Sequence, residues 1–305
     1  MTAIPLAGAP RKSVGSHAAD AILGIILVSP ILVTMAALVF VPLLDTMWDS
    51  LHRINPMQAG TPFIGLANYA NMLSDNDVNT SWLNTFIYVV ICVSVETIGG
   101  IAAAALINQV RIGRRWLLAA VVLPWALPGV VNAVIWMWIY SPGAGLLNGI
   151  LVALGLPFQN HVWFNDRSSA IAMISIVHIW RMMPLTIVIV LAAMQGIPEQ
   201  LYEAARIDGA SRVSMFGFIT LPLVRGAIAI AMTNSTVAAF NFFDEAWVLA
   251  GPSLDTRPIL IQIYLEAFQN LHFSYGMALS LVVTFVSLLV SLLYVLRVYH
   301  NTRYE

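Results

Sequence analysis

One cysteine, one lysine and few charges of either sign set the first limits on this sequence. Cys92 is the sole cysteine among 305 residues, so no intrachain disulfide can form and a buried, inert thiol is expected. Lys12 is the sole lysine, and no Gly-x-x-x-x-Gly-Lys-Ser/Thr pattern surrounds it. A nucleotide-binding loop needs that pattern, so any ATP and magnesium that power this protein must sit on another chain, and no cofactor is expected here. Charged residues amount to 10%, against roughly a quarter in soluble proteins. The net charge of −1 comes with no basic patch interleaved with aromatics, which excludes nucleic acid as a partner. The carboxylates and histidines fall at neither metal-ligand nor catalytic spacing, so no metal site and no enzyme are expected.

What is present is apolar. Hydrophobic residues make up 59% of the chain and mean hydropathy is +0.83, which places it in a membrane. A bilayer core about 30 Å thick requires around 20 apolar residues per helix, and six stretches qualify: 22–44, 85–107, 117–140, 169–195, 226–250 and 274–296. The expected fold class is therefore an all-α integral membrane protein of six transmembrane helices, occupying 21–305 behind a mobile tail at 1–20. The first stretch follows Arg11 and Lys12 as a signal peptide would, but it is too long for an h-region and lacks a small-x-small cleavage site. It is read as a retained helix.

Positive charge fixes the expected orientation, because arginine and lysine collect on the cytoplasmic side. With both termini inside, Arg11, Lys12, Arg111, Arg114, Arg115, Arg206, Arg212, Arg225, Arg297 and Arg303 are cytoplasmic. Arg53, Arg167 and Arg257 lie outside and Arg181 lies within a helix; ten, three and one account for all fourteen basic residues. The outer loops 45–84, 141–167 and 251–272 are too short for a large receptor domain. Solute capture from dilute solution then falls to a separate protein.

The longest inner loop, 196–225, predicts two short helices meeting at a corner. Pro198 suits a first turn and Glu199 favours the positive end of a helix. Asp208-Gly209 is a turn pair whose glycine can take positive φ. A second helix from Ser211 to Leu221 would then present Val213, Phe216, Phe218 and Leu221. An amphipathic elbow of this kind could lie on lipid or pack on a partner.

A resemblance favours the partner. Glu203-Ala204-Ala205, then Asp208-Gly209-Ala210, then Leu221-Pro222 resemble the "EAA" coupling loop of binding-protein-dependent ABC permeases. Gly65-Leu66-Ala67-Asn68-Tyr69, Asn84-Thr85, Gly145-Leu146-Leu147-Asn148 and Leu154-Gly155-Leu156 are similar to the sugar-importer branch, and the maltose-type first subunit is the nearest architecture. The resemblance implies a type I ABC importer permease fold in a bacterial cytoplasmic membrane. It also implies a second permease, two ATP-binding subunits, an extracytoplasmic solute-binding lipoprotein and a sugar substrate, with a disaccharide such as trehalose expected. In such an assembly Glu203, Ala204, Ala205, Asp208, Gly209, Ala210, Phe216, Leu221 and Pro222 would couple this chain to the ATPase. Other oligosaccharides or a polyol phosphate remain alternatives, as does a proton-coupled transporter using Glu96, His178, Asp244 and Glu245.

Candidate solute contacts are the polar groups within spans, since a charge at the bilayer centre costs about 2.5–3.5 kcal/mol on insertion scales. In the fifth stretch Asn234, Asn241 and Asp244 or Glu245 recur at helical spacing, with Phe240 and Phe243 beside them. That stripe suits a sugar, or equally polar packing between helices. In the fourth stretch Arg181 could bond a sugar or pair with Glu96 or Asp244, and His178 reads as a packed residue. The family resemblance implies that the segment around Trp180 and Pro184 lines the sugar site. Met182 stands where the maltose-type subunit has glycine, so the chamber shape must differ.

Overall fold

The computed structural model describes residues 14–302, with side chains described for 21–297. Arg11, Lys12 and Arg303, used above for orientation, and most of the expected tail lie outside the described residues. Helix α1 (Val14–Met35) runs through a π-helical turn (Ala36–Phe40) into α2 (Val41–Asp49). After α3 (Ala67–Ser74) comes α4 (Asn76–Gln109), followed by α5 (Arg114–Val122), α6 (Gly129–Ile139) and α7 (Leu146–Ala153). Helix α8 (Arg167–Gln195) leads to α9 (Glu199–Ile207) and α10 (Arg212–Met215), which continues through a π turn (Phe216–Thr220) into α11 (Leu221–Phe240). The chain ends with α12 (Asp244–Ala250), α13 (Ile259–Tyr264) with its π turn (Leu265–Gln269), and α14 (Phe273–Thr302). Among the described residues the sole β feature is an isolated bridge between His52 and Phe63.

Among the described residues, five helical runs are long and apolar enough to cross a membrane: Ala21–Asp49, Asn76–Gln109, Arg167–Gln195, Arg212–Phe240 and Phe273–Arg297. The expected third span, 117–140, is instead two helices parted between Val122 and Gly129. Pro124 and Pro128 fall in that gap, where proline removes a donor and forces its predecessor out of the helical region. The expected fifth span, 226–250, is also broken, because α11 stops at Phe240 and α12 restarts at Asp244.

At the centre α4 crosses α8 closely. A Cβ on Gly100 would stand 2.5 Å from Thr186 Cγ2, so only glycine permits this separation, the usual logic of small residues between membrane helices. Helices α11 and α14 pack alongside, and Val89, Cys92, Ile179, Ala239, Phe240 and Leu279 form the main apolar core. Cys92 is buried. The α1–α2 run is different: its apolar surface is uncovered within this chain, and α2 touches α14. Apolar surface of that extent requires lipid or another protein against it.

Candidate functional site

The elbow stands at one end of the bundle. Pro198 precedes α9 with extended ψ of 128°, and Glu199 occupies its first turn. The helix closes at Gly209, whose φ is +81°. Asp208 N–H donates to Ala204 O at 3.0 Å and Ala210 N–H to Ala205 O at 2.9 Å, satisfying carbonyls that the end of a helix leaves open. Ser211 then caps α10 by accepting from Ser214 N–H at 3.2 Å. Contrary to expectation, no separate second helix ends at Leu221; the run from Arg212 continues into the span that ends at Phe240. The corner is thus joined directly to a long apolar helix, with Pro222 in the first turn of α11.

Tyr202 and Thr220 hydroxyls lie 2.9 Å apart and tie the two arms together. Phe216 turns inward against the cluster of Ile107, Ile187 and Val224, and Leu221 is half-buried. Ile207, Val213 and Phe218 face outward at 87, 82 and 83% exposure. Glu203 and Ala204 are exposed beside them and Ala205 is half-buried; Glu203 has no ion-pair or hydrogen-bond partner among the described residues. Three large apolar side chains and an unpaired carboxylate on one corner form a surface suited to another protein.

Midway along the bundle the fold assembles an ionic cluster that sequence spacing did not reveal. Glu96 of α4, His178 and Arg181 of α8, Ser235 of α11 and Glu245 of α12 converge, although they are up to 149 positions apart in the numbering from 96 to 245. Arg181 Nε donates to Glu245 Oε1 at 2.6 Å. His178 lies 3.8 Å from a carboxylate oxygen of both Glu96 and Glu245, and all three side chains are buried. The Ser235 hydroxyl donates to Glu96. Arg181 therefore pairs with Glu245, and not with Glu96 or Asp244 as expected. The fold also brings ligand atoms of Cys92, Glu96 and His178 within 4.8 Å of one another, a grouping that sequence spacing did not show. Two carboxylates facing a guanidinium and an imidazole can balance without a metal, and buried ion groups persist when they are paired in this way.

The break between α11 and α12 lies next to this cluster. Asn241 ends the helix by donating its amide to Val237 O at 2.8 Å, and it remains exposed together with Asn234. Because the helix stops there, Asn234, Asn241 and Asp244 do not form one continuous stripe. Asp244 is half-buried against Gly129 at the start of α6. Phe240 is fully buried in the core, against Trp82 and Phe86, which removes it from any open solute path. Phe243 instead stacks on Trp247 at 5.7 Å and meets Tyr264 at 5.5 Å, and Tyr264 contacts Phe268. Met182 and Trp180 are half-buried on α8, with Trp180 edge-on to Trp136. Phe243 and Trp247 are four residues apart at the start of α12, but Tyr264 joins their row from a separate helix, which sequence spacing could not show.

The other motifs serve as clamps at the end opposite the elbow. Asn84 donates to Leu254 O and Arg257 O at 2.9 and 3.1 Å and accepts from Arg167 at 2.7 Å. Thr85 Oγ1 accepts from Ile259 N–H at 2.7 Å. Asn68 donates to Ser50 O at 2.7 Å, and the Tyr69 and Ser50 hydroxyls lie 2.8 Å apart. Asn148 holds Pro142 O and His161 O and accepts from Trp163 Nε1 at 2.8 Å.

Residues 96–303 match the family of binding-protein-dependent transport system inner membrane components. The chain belongs to this family. The permease is 36% identical over 274 residues to the trehalose/maltose transport system permease protein MalF of Thermococcus litoralis, covering 88% of this chain and 91% of that one. It is 30% identical over 270 residues to the trehalose transport system permease protein SugA of Mycobacterium tuberculosis, covering 88% and 86%. Its fold superposes with a TM-score of 0.78 on a chain of a bacterial alginate ABC transporter solved with an alginate-bound periplasmic protein, at 21% identity over 92% of this chain and 94% of that one. The permease is thus a transport subunit of the sugar ABC importer type, without catalytic chemistry of its own.

Proposed function

We propose that the permease forms one half of a disaccharide pathway, for a sugar such as trehalose, across a bacterial cytoplasmic membrane. In this assignment the chain crosses six times, with α5 and α6 together making the third crossing and both termini in the cytoplasm. A second permease covers the apolar surface of α1 and α2. Two ATP-binding subunits dock beneath, one of them on the elbow, and an extracytoplasmic binding lipoprotein delivers the solute to the opposite end. The observation that carries this assignment is the elbow itself: Glu203, Ile207, Val213 and Phe218 project from a corner whose second arm is continuous with α11. A push on that corner is transmitted along one rigid helix to the break at Asn241. There Asn234, Asn241, Asp244, Arg181 and Met182 supply polar and soft surface to the solute, with Phe243, Trp247 and Tyr264 alongside. Amides both donate and accept, which suits hydroxyls.

Support for the sugar comes from relatives named for trehalose and maltose. The test is ATP hydrolysis by the reconstituted importer with its binding protein, titrated with trehalose, maltose and glycerol 3-phosphate. Stimulation by a disaccharide, lost in Asn241→Ala while the ATPase still co-purifies, is the expected result. Stimulation by the polyol phosphate alone would replace the substrate assignment. Transport by this subunit without an ATPase, collapsed by an uncoupler, would overturn the whole scheme.

A further inference from the structure

At the end opposite the elbow lies a cavity of about 470 Å³, open to the surface and lined by none of the residues at the break around Asn241. Its walls come from the segment 53–58, the junction of α3 and α4, and the corner between α13 and α14. Ile54 is the sole aliphatic side chain lining it. The volume falls within the range of about 300–1,000 Å³ typical of small-molecule sites.

The polar groups divide into two sets. One set builds the walls. Asp75 accepts from the backbone N–H of Asp77 and Val78 and from the Tyr275 hydroxyl at 3.0 Å. Glu266 accepts from Gln262 at 3.0 Å and faces His272 Nδ1 at 3.1 Å, and Ser274 accepts from Ile54 N–H at 3.1 Å. The corner is held in a strained form, with Leu271 at φ +59° while Asn270 and His272 N–H donate back to Leu265 and Glu266 carbonyls at 2.8 and 2.9 Å. Positive φ at leucine is unfavourable and persists where the surroundings impose it. The second set is uncommitted: the side chains of Arg53, Gln58, Asn71 and Asn270 line the cavity and make no side-chain hydrogen bond among the described residues.

We infer that this cavity is a second binding site, for a neutral polyhydroxylated molecule of mono- or disaccharide size. Both carboxylates already accept hydrogen bonds from protein donors, so they are held as wall groups and are less available to a metal ion or an amine. Arg53 is offset by Asp75 and Glu266, so a phosphate or carboxylate gains no net attraction. Three amides and a guanidinium remain, and together they can donate to and accept from hydroxyls on several sides of one ligand. The site requires only hydroxyl recognition and does not depend on which sugar the importer carries.

The experiment uses the purified importer in nanodiscs without its binding protein, observed by saturation-transfer NMR with trehalose, maltose, glucose, glucose 6-phosphate and calcium as probes. The expected result is transfer to the neutral sugars. Losing one hydrogen bond worth about 1 kcal/mol weakens binding about fivefold, so the transfer should weaken by about that factor in both Asn71→Ala and Asn270→Ala. The same weakening should appear when Asn71→Ala and Asn270→Ala are made in an Asn241→Ala background, which separates this site from the proposed pathway. Because Asn71 and Asn270 are exposed, neither variant threatens folding. Transfer that is indifferent to both variants, preferential binding of glucose 6-phosphate, or protection of the cavity by calcium would overturn the inference. So would sugar contact that appears only when the binding protein is added and cross-links there, since the cavity would then be a protein docking surface.

Discussion

The two ends of the bundle solve opposite problems. At the elbow end the chain turns at Gly209 and leaves Ile207, Val213 and Phe218 in the open. At the other end Asn68, Asn84, Thr85 and Asn148 bind backbone carbonyls or amides of distant loops. The surface proposed to meet another protein keeps its groups unpaired, whereas the surface that holds three loops in place pairs them internally. The ionic cluster at Glu96, His178, Arg181 and Glu245 lies between and joins three helices.

The sharpest way to break this contrast is Gly209→Val. A β-branched residue at positive φ costs about 1–3 kcal/mol, equivalent to about 5- to 150-fold in a docking equilibrium. The spans should insert normally while ATPase co-purification and uptake in vesicles fall by that range; wild-type values in both would refute the corner's role. The cluster bears on stability instead of docking. Arg181→Met strands a buried Glu245, and breaking such a pair costs about 3–5 kcal/mol. The thermal midpoint should drop strongly and recover in the Arg181→Met, Glu245→Gln double variant. Absence of recovery would mean that the pair is not the source of the loss.

At the clamped end, Asn84→Ala removes two donated bonds and one accepted from a guanidinium. At about 0.5–1.5 kcal/mol for each neutral bond and 1.5–3 for the charged one, the cost should be about 2.5–6 kcal/mol, with ATPase co-purification unaffected. Loss of the ATPase in this variant would show that the two ends are not separable. Glu203→Ala removes a single exposed carboxylate from the elbow, and exposed ion contacts contribute about 0–1 kcal/mol. Coupled hydrolysis should fall several-fold at most, so an effect as large as that of Gly209→Val would reverse the ranking.

The smallest effect concerns Asp166, which caps α8 at the clamped end. Hydrogen bonds from the Ser168 hydroxyl and then the Ser169 backbone N–H hold its carboxyl below the ordinary value of 3.8. A depressed folded pKa stabilises above the unfolded pKa and loses that contribution as pH falls through the folded value. Thermal midpoints of wild type and Asp166→Ala should therefore differ at neutral pH and converge in acid. A constant gap across that range would show that ionisation of the cap is immaterial.

The sequence by itself determined the membrane class, the positions of most apolar runs and the corner of the elbow. Each rests on local physics: an apolar run must be long enough for a bilayer, and Asp-Gly turns whatever surrounds it. Pro124 and Pro128 also carried a local warning that the third run is broken, although apolar content alone suggested continuity. Tertiary structure decided the rest. Phe240 entered the core and Asn241 became a helix end because α11 packs against α4, α8 and α14, and Arg181 found Glu245 because the break turns α12 toward α8. A one-dimensional pattern records which side chains need a partner; which partner arrives depends on how helices far apart in the chain pack together.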